Sequence, residues 1–250
     1  MLAISVVIIT FNEEKNIERC LLSVKTVADE VIVLDSFSKD ATAQLCAKHG
    51  VTFIQREWEG YSASKNFANQ QAAHDWILSL DADEALSDEL QKALLELKKQ
   101  NQLHTMSFNR LTNYCGTWIK HSGWYPDIKI RLFNRKTTQW HGTLHEELKL
   151  PKGETVKHLD LDILHYSYYT LDDHLSQIER YTSIAAKDLY NRGKRPAVYK
   201  MYLNAWAKFV SHYLIHLGFL DGLAGFKIAW YSAYATFLKY KKARGMYAYD

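Results

Sequence analysis

Residues 4–10, ISVVIIT, are apolar almost without interruption and rich in β-branched side chains. Such a run predicts a strand covered on both faces. The period then changes. Ile17, Cys20, Leu21 and Val24 fall at i, i+3, i+4 and i+7, one face of a helix. The two patterns keep alternating. EVIVLDS (30–36), VTFI (51–54) and WILSL (76–80) read as further strands. Between them, Ser38 or Asp40 can cap a helix holding Ala41 and Leu45, and residues 62–73 form another. Ser87 caps a helix with Leu90, Leu94 and Leu97 on one side. Strands and helices joined by short connections predict right-handed crossovers. The expected fold class is α/β, a mostly parallel sheet with helices on both faces.

Beyond residue 100 the pattern shifts to period two in TMSFNRL (105–111), IKIRLFNR (128–135) and HLDLDILHY (158–166). In the second, Ile128, Ile130 and Leu132 alternate with Lys129 and Arg131. These segments predict mixed or antiparallel strands that extend the sheet. HSGWYPD (121–127) is a loop by its Gly and Pro. From about residue 170 the spacing is helical, with a joint at NRGKRP (191–196). The chain therefore divides into an α/β domain over 1–168 and a helical extension over 169–250.

Composition narrows the picture modestly. A 250-residue chain that is 47% hydrophobic and 24% charged is an ordinary globular protein, not a disordered one. Its net charge of +3 gives no electrostatic case for nucleic acid. The 16 Tyr, 10 Phe and 7 Trp suit sugar stacking or a membrane interface, and equally a plain core. Three cysteines with no CxxC pair predict a reduced compartment and no thiolate metal site. MLAISVVIIT has no basic leader segment, and no apolar run reaches the roughly 18 residues of a membrane span.

Candidate chemistry gathers where the strands end. Open α/β sheets bind ligands beyond the carboxyl ends of their strands. That places Thr10-Phe11-Asn12-Glu13, Asp35-Ser36 and Asp81-Ala82-Asp83 along one rim. An Asp-x-Asp pair is weak by itself, since a chain of this length holds about one by chance. Asp160 and Asp162 form such a pair inside an alternating strand, on its polar side. Asp81 and Asp83 differ because they follow a buried strand. Carboxylates there suit Mg²⁺ or Mn²⁺, which bind through one or two acids plus substrate phosphates. The bland alternative is a solvated turn leading to the cap at Ser87. No glycine-rich phosphate loop is present, so a diphosphate would depend on the cation and on side chains such as Lys65.

Taken together, SVVIITFNEEKNIERCLLSV, EVIVLDSFSKDAT, GYSASKNFA and WILSLDADE resemble the ordered signatures of inverting family 2 glycosyltransferases of the GT-A fold. HSGWYPDIKIRLF, LHEEL, ILHYSY (163–168) and GFLDGLAGFKIAWYSAYATFLKY narrow the likeness to bacterial lipopolysaccharide inner-core β-1,4-glucosyltransferases. The resemblance implies a UDP-sugar donor, glucose as the sugar, a heptose acceptor and a divalent metal, Mg²⁺ or Mn²⁺. It gives residues 1–100 to the nucleotide-sugar and 101–168 to acceptor and catalysis. Thr10, Phe11, Asn12, Glu13, Asp35, Ser36, Lys65 and Asp81 would bind the donor, with Asp35 on the uridine and Lys65 near the pyrophosphate. Asp83 and His165 would hold the metal. Glu146 would be the base that takes the acceptor proton, with Glu147 and Asp127 as alternatives. Trp124, Tyr125, Asp127 and Arg131 would meet the acceptor. Another acceptor, a polyprenyl phosphate or a peptide, or a non-catalytic sugar-binding protein, stays open.

His141 and His145 lie four apart, but Gly142 intervenes and no HExxH occurs, so catalytic zinc is not expected. Between Pro196 and Tyr249 seven Lys and Arg face one acid, Asp221, and Phe226, Trp230, Ala233 and Phe237 recur on one helical side. That combination suits an anionic membrane interface, and equally a helical hairpin with a solvated basic face. With the resemblance it implies a peripheral enzyme on the cytoplasmic face of a bacterial inner membrane.

Overall fold

The computed structural model describes residues 2–142 and 146–247; His145 lies outside the described residues. Two compact units are present, Met1–Arg110 with Asp127–Tyr166, and Leu111–Pro126 with Ser167–Asp250. Residues 111–126 thus group with the C-terminal helices.

The first unit is built on β1 (Ile4–Thr10), β2 (Glu30–Asp35), β3 (Thr52–Gln55), β4 (Trp76–Asp81), β5 (Glu84–Leu86), β6 (Met106–Tyr114), β8 (Asp127–Asn134) and β11 (Lys157–Tyr168). Their order is β3-β2-β1-β4-β8-β6-β11-β5. The β1–β2, β1–β4 and β2–β3 pairs are parallel, whereas β4–β8, β6–β8 and β11–β5 are antiparallel. The sheet is therefore mixed, parallel where the apolar runs are continuous and antiparallel where the sequence alternates.

Both faces of β1 are covered. Val6 and Ile8 pack with Ile17, Leu21 and Val24 of α1 (Ile17–Val24), and with Leu90 and Leu94 of α4 (Asp88–Lys99). Val7 and Ile9 point the other way, toward Ala68 of α3 (Tyr61–Gln71) and Trp140. The Ser87 hydroxyl caps α4 by accepting the Leu90 N–H at 3.2 Å. At the start of α2 (Thr42–Lys48), Asp40 is the one of the two candidate capping residues that supplies a hydrogen bond. Asp40 accepts the Thr42 N–H at 3.0 Å, while Ser38 turns back to Asp35.

Beside the main sheet, β9 (Gln139–His141) and β10 (Glu147–Lys149) form a small antiparallel ribbon. Asn66 of α3 fixes it, donating to the Trp140 carbonyl at 2.8 Å and accepting its N–H at 2.9 Å.

In the second unit, β7 (Thr117–Ile119) pairs with residues 112–114 of β6. It is followed by α5 (Leu171–Asn191), α6 (Val198–Val210), a π turn at Ser211–Ile215, a 3-10 turn at Gly218–Asp221 and α7 (Gly222–Met246). Thr170 and Asp173 form a capping box at the start of α5. Lys242 ties α7 to α5 through Glu179, Thr182 and Ser183, at 2.5 to 3.0 Å. No described helix is long and apolar enough to cross a membrane.

Candidate active site

Strand register creates the rim. Thr10 lies opposite Asp35, and Ile9 opposite Asp81, so the ends of β1, β2 and β4 come level. The loops after β1 and β2 then interlock. The Asn12 N–H donates to Ser38 Oγ at 2.7 Å, Glu13 N–H to Thr42 Oγ1 at 2.9 Å, and Lys39 N–H to Asn12 Oδ1 at 2.8 Å. Asn12 and Phe37 adopt φ of 55° and 60°, a left-handed conformation that a non-glycine residue holds only when its surroundings enforce it. Phe11 and Phe37 stand exposed at this edge.

Asp35 is wholly buried. Its carboxylate accepts the Ser38 N–H and hydroxyl and the Gln55 amide, the last at 3.0 Å. Asp35 therefore shapes the loop from within. Ser36 N–H donates to the Thr10 carbonyl at 3.0 Å, and the Thr10 hydroxyl is buried without a hydrogen-bond partner.

A chain of alternating charges runs below the rim. Lys65, 1% exposed, lies 3.0 Å from Asp81 Oδ1 and 3.3 Å from Glu146 Oε1. Arg131 reaches Asp81 Oδ2 at 2.8 Å and also pairs with Glu84. Arg110 stands 3.7 Å from Glu84 and 2.6 Å from Asp127, and Lys129 lies 3.0 Å from Asp127. The Asp81 N–H closes the arrangement by donating to Glu84 Oε2 at 3.0 Å. Burial disfavours charge on Asp81, but Lys65 and Arg131 outweigh it and hold the carboxyl far below its usual range. Asp127 is likewise held low, since Arg110 and Lys129 overcome its burial.

Two expectations change here. Arg131, expected at the acceptor, is 3% exposed and committed to Asp81 and Glu84, while Ile128 on the same strand is 53% exposed. Period-two alternation leaves open which side of β8 is covered, and paired carboxylates make burial of the guanidinium tolerable. Both oxygens of Asp81 are already engaged by the cations Lys65 and Arg131, whereas the side-chain partner of Asp83 is His165.

β5 supplies Asp83 with its partner. It pairs antiparallel with β11, setting His165 opposite Glu84, and the Tyr166 N–H donates to the Asp83 carbonyl at 2.9 Å. His165 Nε2 then lies 3.1 Å from Asp83 Oδ2. Burial raises the pKa of Glu13, and the Asp83 charge adds to the rise despite the Asn16 hydrogen bond. Among the described residues, no three His, Cys, Asp or Glu side chains converge as a metal cluster.

Trp124 and Tyr125 belong to the other unit. Trp124 packs among Tyr114, Tyr168 and His174, with ring centroids 5.8 to 6.3 Å apart. Arg110 and Asn66 carry no local sequence signal for their places beside Glu84 and the β9 ribbon. Glu84 was visible as a third acid directly after the pair, and its role depends on strand β5.

The family model for glycosyl transferase family 2 matches residues 5–150. A glycosyltransferase of Rickettsia typhi, described as uncharacterized, is 32% identical over 98% of this chain and 87% of its own. The lipopolysaccharide core biosynthesis glycosyltransferase LpsC of Rhizobium meliloti is 27% identical over 95% of this chain and 90% of its own. Among solved structures, S. aureus TarS 1-349 in complex with UDP-GlcNAc aligns with a TM-score of 0.46 at 15% identity, covering 99% of this chain and 92% of that one.

Proposed function

The chain belongs to glycosyl transferase family 2, and from that membership we propose that it moves glucose from a UDP-sugar, with inversion, to a heptose of a lipopolysaccharide inner core. The LpsC name supports the core acceptor. The bacterial inner membrane, on its cytoplasmic face, is where such a lipid-linked acceptor would be met.

Residues Thr10 to Glu13 and Ser36 form the donor's wall, and Asp35 positions that wall through Ser38 and Gln55. The residues at the rim fit a divalent cation. Asp83 offers a carboxylate and His165 an imidazole, 3.1 Å apart and both partly exposed. Two protein ligands leave room for phosphate oxygens, and the carboxylate suits Mn²⁺ and Mg²⁺ alike. Such an ion would neutralise charge gathering on the departing diphosphate. Lys65 adds a fixed positive charge beside Asp81 and Glu146.

Glu146 is the base. It takes the proton of the acceptor hydroxyl as that oxygen attacks the anomeric carbon on the side opposite the diphosphate. One carboxylate suffices, because inversion needs no covalent intermediate. Asp127 serves less well, since Arg110 and Lys129 hold it as a weak base.

The carrying observation is the β5–β11 register that sets His165 against Asp83. The test is UDP release from UDP-glucose with a heptose acceptor, with and without Mn²⁺, alongside calorimetry of UDP binding. Asp83→Ala should weaken metal-dependent UDP binding. Glu146→Gln should leave that binding intact and slow transfer by about 10²–10⁴. Equal UDP binding in wild type and Asp83→Ala would overturn the metal assignment, and unimpaired turnover by Glu146→Gln would overturn the base.

A further inference from the structure

The helical unit carries an apolar surface that its own packing leaves bare. On α6, Tyr199, Tyr202, Leu203 and Trp206 are all more than half exposed and share one side of the helix. Their neighbour α7 exposes Leu223, Phe226 and Trp230. The two helices meet through Tyr202–Phe237 and Phe209–Phe226, with ring centroids 5.4 and 5.9 Å apart. In each contact one ring is exposed, Tyr202 or Phe226, and its partner is half-buried. Tyr213 extends the contact from Phe226 to Phe219. The turn between the helices adds Leu214, Ile215 at 69% exposure, and Leu220.

The turn is built rather than loose. The Asp221 carboxylate, 3% exposed, accepts the Lys120 and His121 N–H groups, each at 3.1 Å, and the Ser122 hydroxyl at 2.8 Å. Gly218 and Gly225 touch so closely that a Cβ on Gly225 would stand 1.8 Å from the Gly218 carbonyl oxygen. Apolar tips are therefore held outward by a rigid frame.

We infer that this face seats on an anionic lipid bilayer, with the Leu214–Leu223 turn entering the boundary between headgroups and acyl chains. Trp and Tyr beside aliphatic tips are the side chains that favour that boundary. Asp221 is the one acid between Pro196 and Tyr247, and its carboxylate is buried, so the face presents no negative charge. Lys200, Lys208 and Lys241 are exposed on the same helices and complement anionic headgroups. A second copy of the chain fits less well, because a two-fold contact would bring these lysines together with no acid to pair them. The basic residues are not the main attraction, since Lys242 is spent on α5 and Arg244 on the Pro196 carbonyl at 2.6 Å. The inference deepens the membrane placement given under the proposed function and rests on it for the choice of lipid.

The test is sedimentation of the full chain with vesicles of phosphatidylcholine, with or without phosphatidylglycerol, and free of any saccharide acceptor. Wild type should bind the phosphatidylglycerol vesicles. The exposed double variant Ile215→Glu/Leu220→Glu, with its fold checked by circular dichroism, should bind at least about tenfold more weakly. Lys200→Glu/Lys208→Glu should lose about fivefold per site on the anionic vesicles alone. Unchanged vesicle binding by the Ile215→Glu/Leu220→Glu variant would overturn the inference. So would a wild type that ignores vesicles, including one that forms a dimer which that variant abolishes. A chain that binds vesicles but turns over no UDP-sugar would lose the transferase reading and keep this one.

Discussion

Arg131 shows how one buried charge can set a site from beneath, through Asp81. Its guanidinium joins Asp81 to the fully buried Glu84, and Lys65 carries the contact on to Glu146. A planar fork can serve two carboxylates at once, which a single ammonium does less well. Arg131→Met would leave Glu84 facing Asp81, with Arg110 at 3.7 Å as its remaining cation. Removing one partner from a buried pair costs about 3–5 kcal/mol. The urea midpoint should fall accordingly, and Arg131→Lys should recover part of the loss. A Met variant that unfolds with the wild type would show that the network does not bear on stability. The same geometry explains why Asp81 and Asp83 differ although one residue separates them. Asp81 is clasped by two cations, whereas Asp83 meets one imidazole, so Asp83→Ala should cost donor binding with little loss of stability.

At the scale of elements, what the sequence revealed depended on period. The apolar runs of β1, β2 and β4 could be recognised because helices cover both their faces, and the Ser87 cap because its chemistry is local. β5 could not. Glu84-Ala85-Leu86 is three residues long, and its strand character comes from pairing with β11, far along the chain. His165 was reached through family likeness, and its contact with Asp83 depends on that distant register. The burial of Arg131 was hidden for a related reason, since alternation gives the two sides of a strand but not which side a partner will cover. In the helical unit the glycine contact is likewise tertiary. Gly225→Ala would drive a Cβ into the Gly218 backbone, where no flexible side chain can give way. The turn should open at a cost of about 1–3 kcal/mol or more. The thermal midpoint should drop while Gly245→Ala, with open space at its Cβ, stays near wild type.

For the whole molecule, acid should act in two stages because the two units bury different chemistry. In the helical unit His174 is 5% exposed and bonded to the Tyr114 hydroxyl at 2.9 Å. Burial lowers its pKa from 6.5 to about 4. The unfolded chain therefore binds the proton first, and stability falls as pH drops from 6.5 toward 4. The full contribution, about 3 kcal/mol, is present above 6.5 and gone below 4. His212, buried in the same unit and also shifted down, acts in the same direction. Asp81 in the α/β unit responds later. Its folded pKa lies below the ordinary 3.8, so its contribution survives until pH falls through 3.8 and beyond. Hydrogen exchange measured from pH 7 to 4.5 should show α5 losing protection before β1 and β4. His174→Gln, which can still accept the Tyr114 hydroxyl, should flatten that first stage and leave the second. Equal acid sensitivity of the α5 amides in His174→Gln and wild type would remove His174 as the cause.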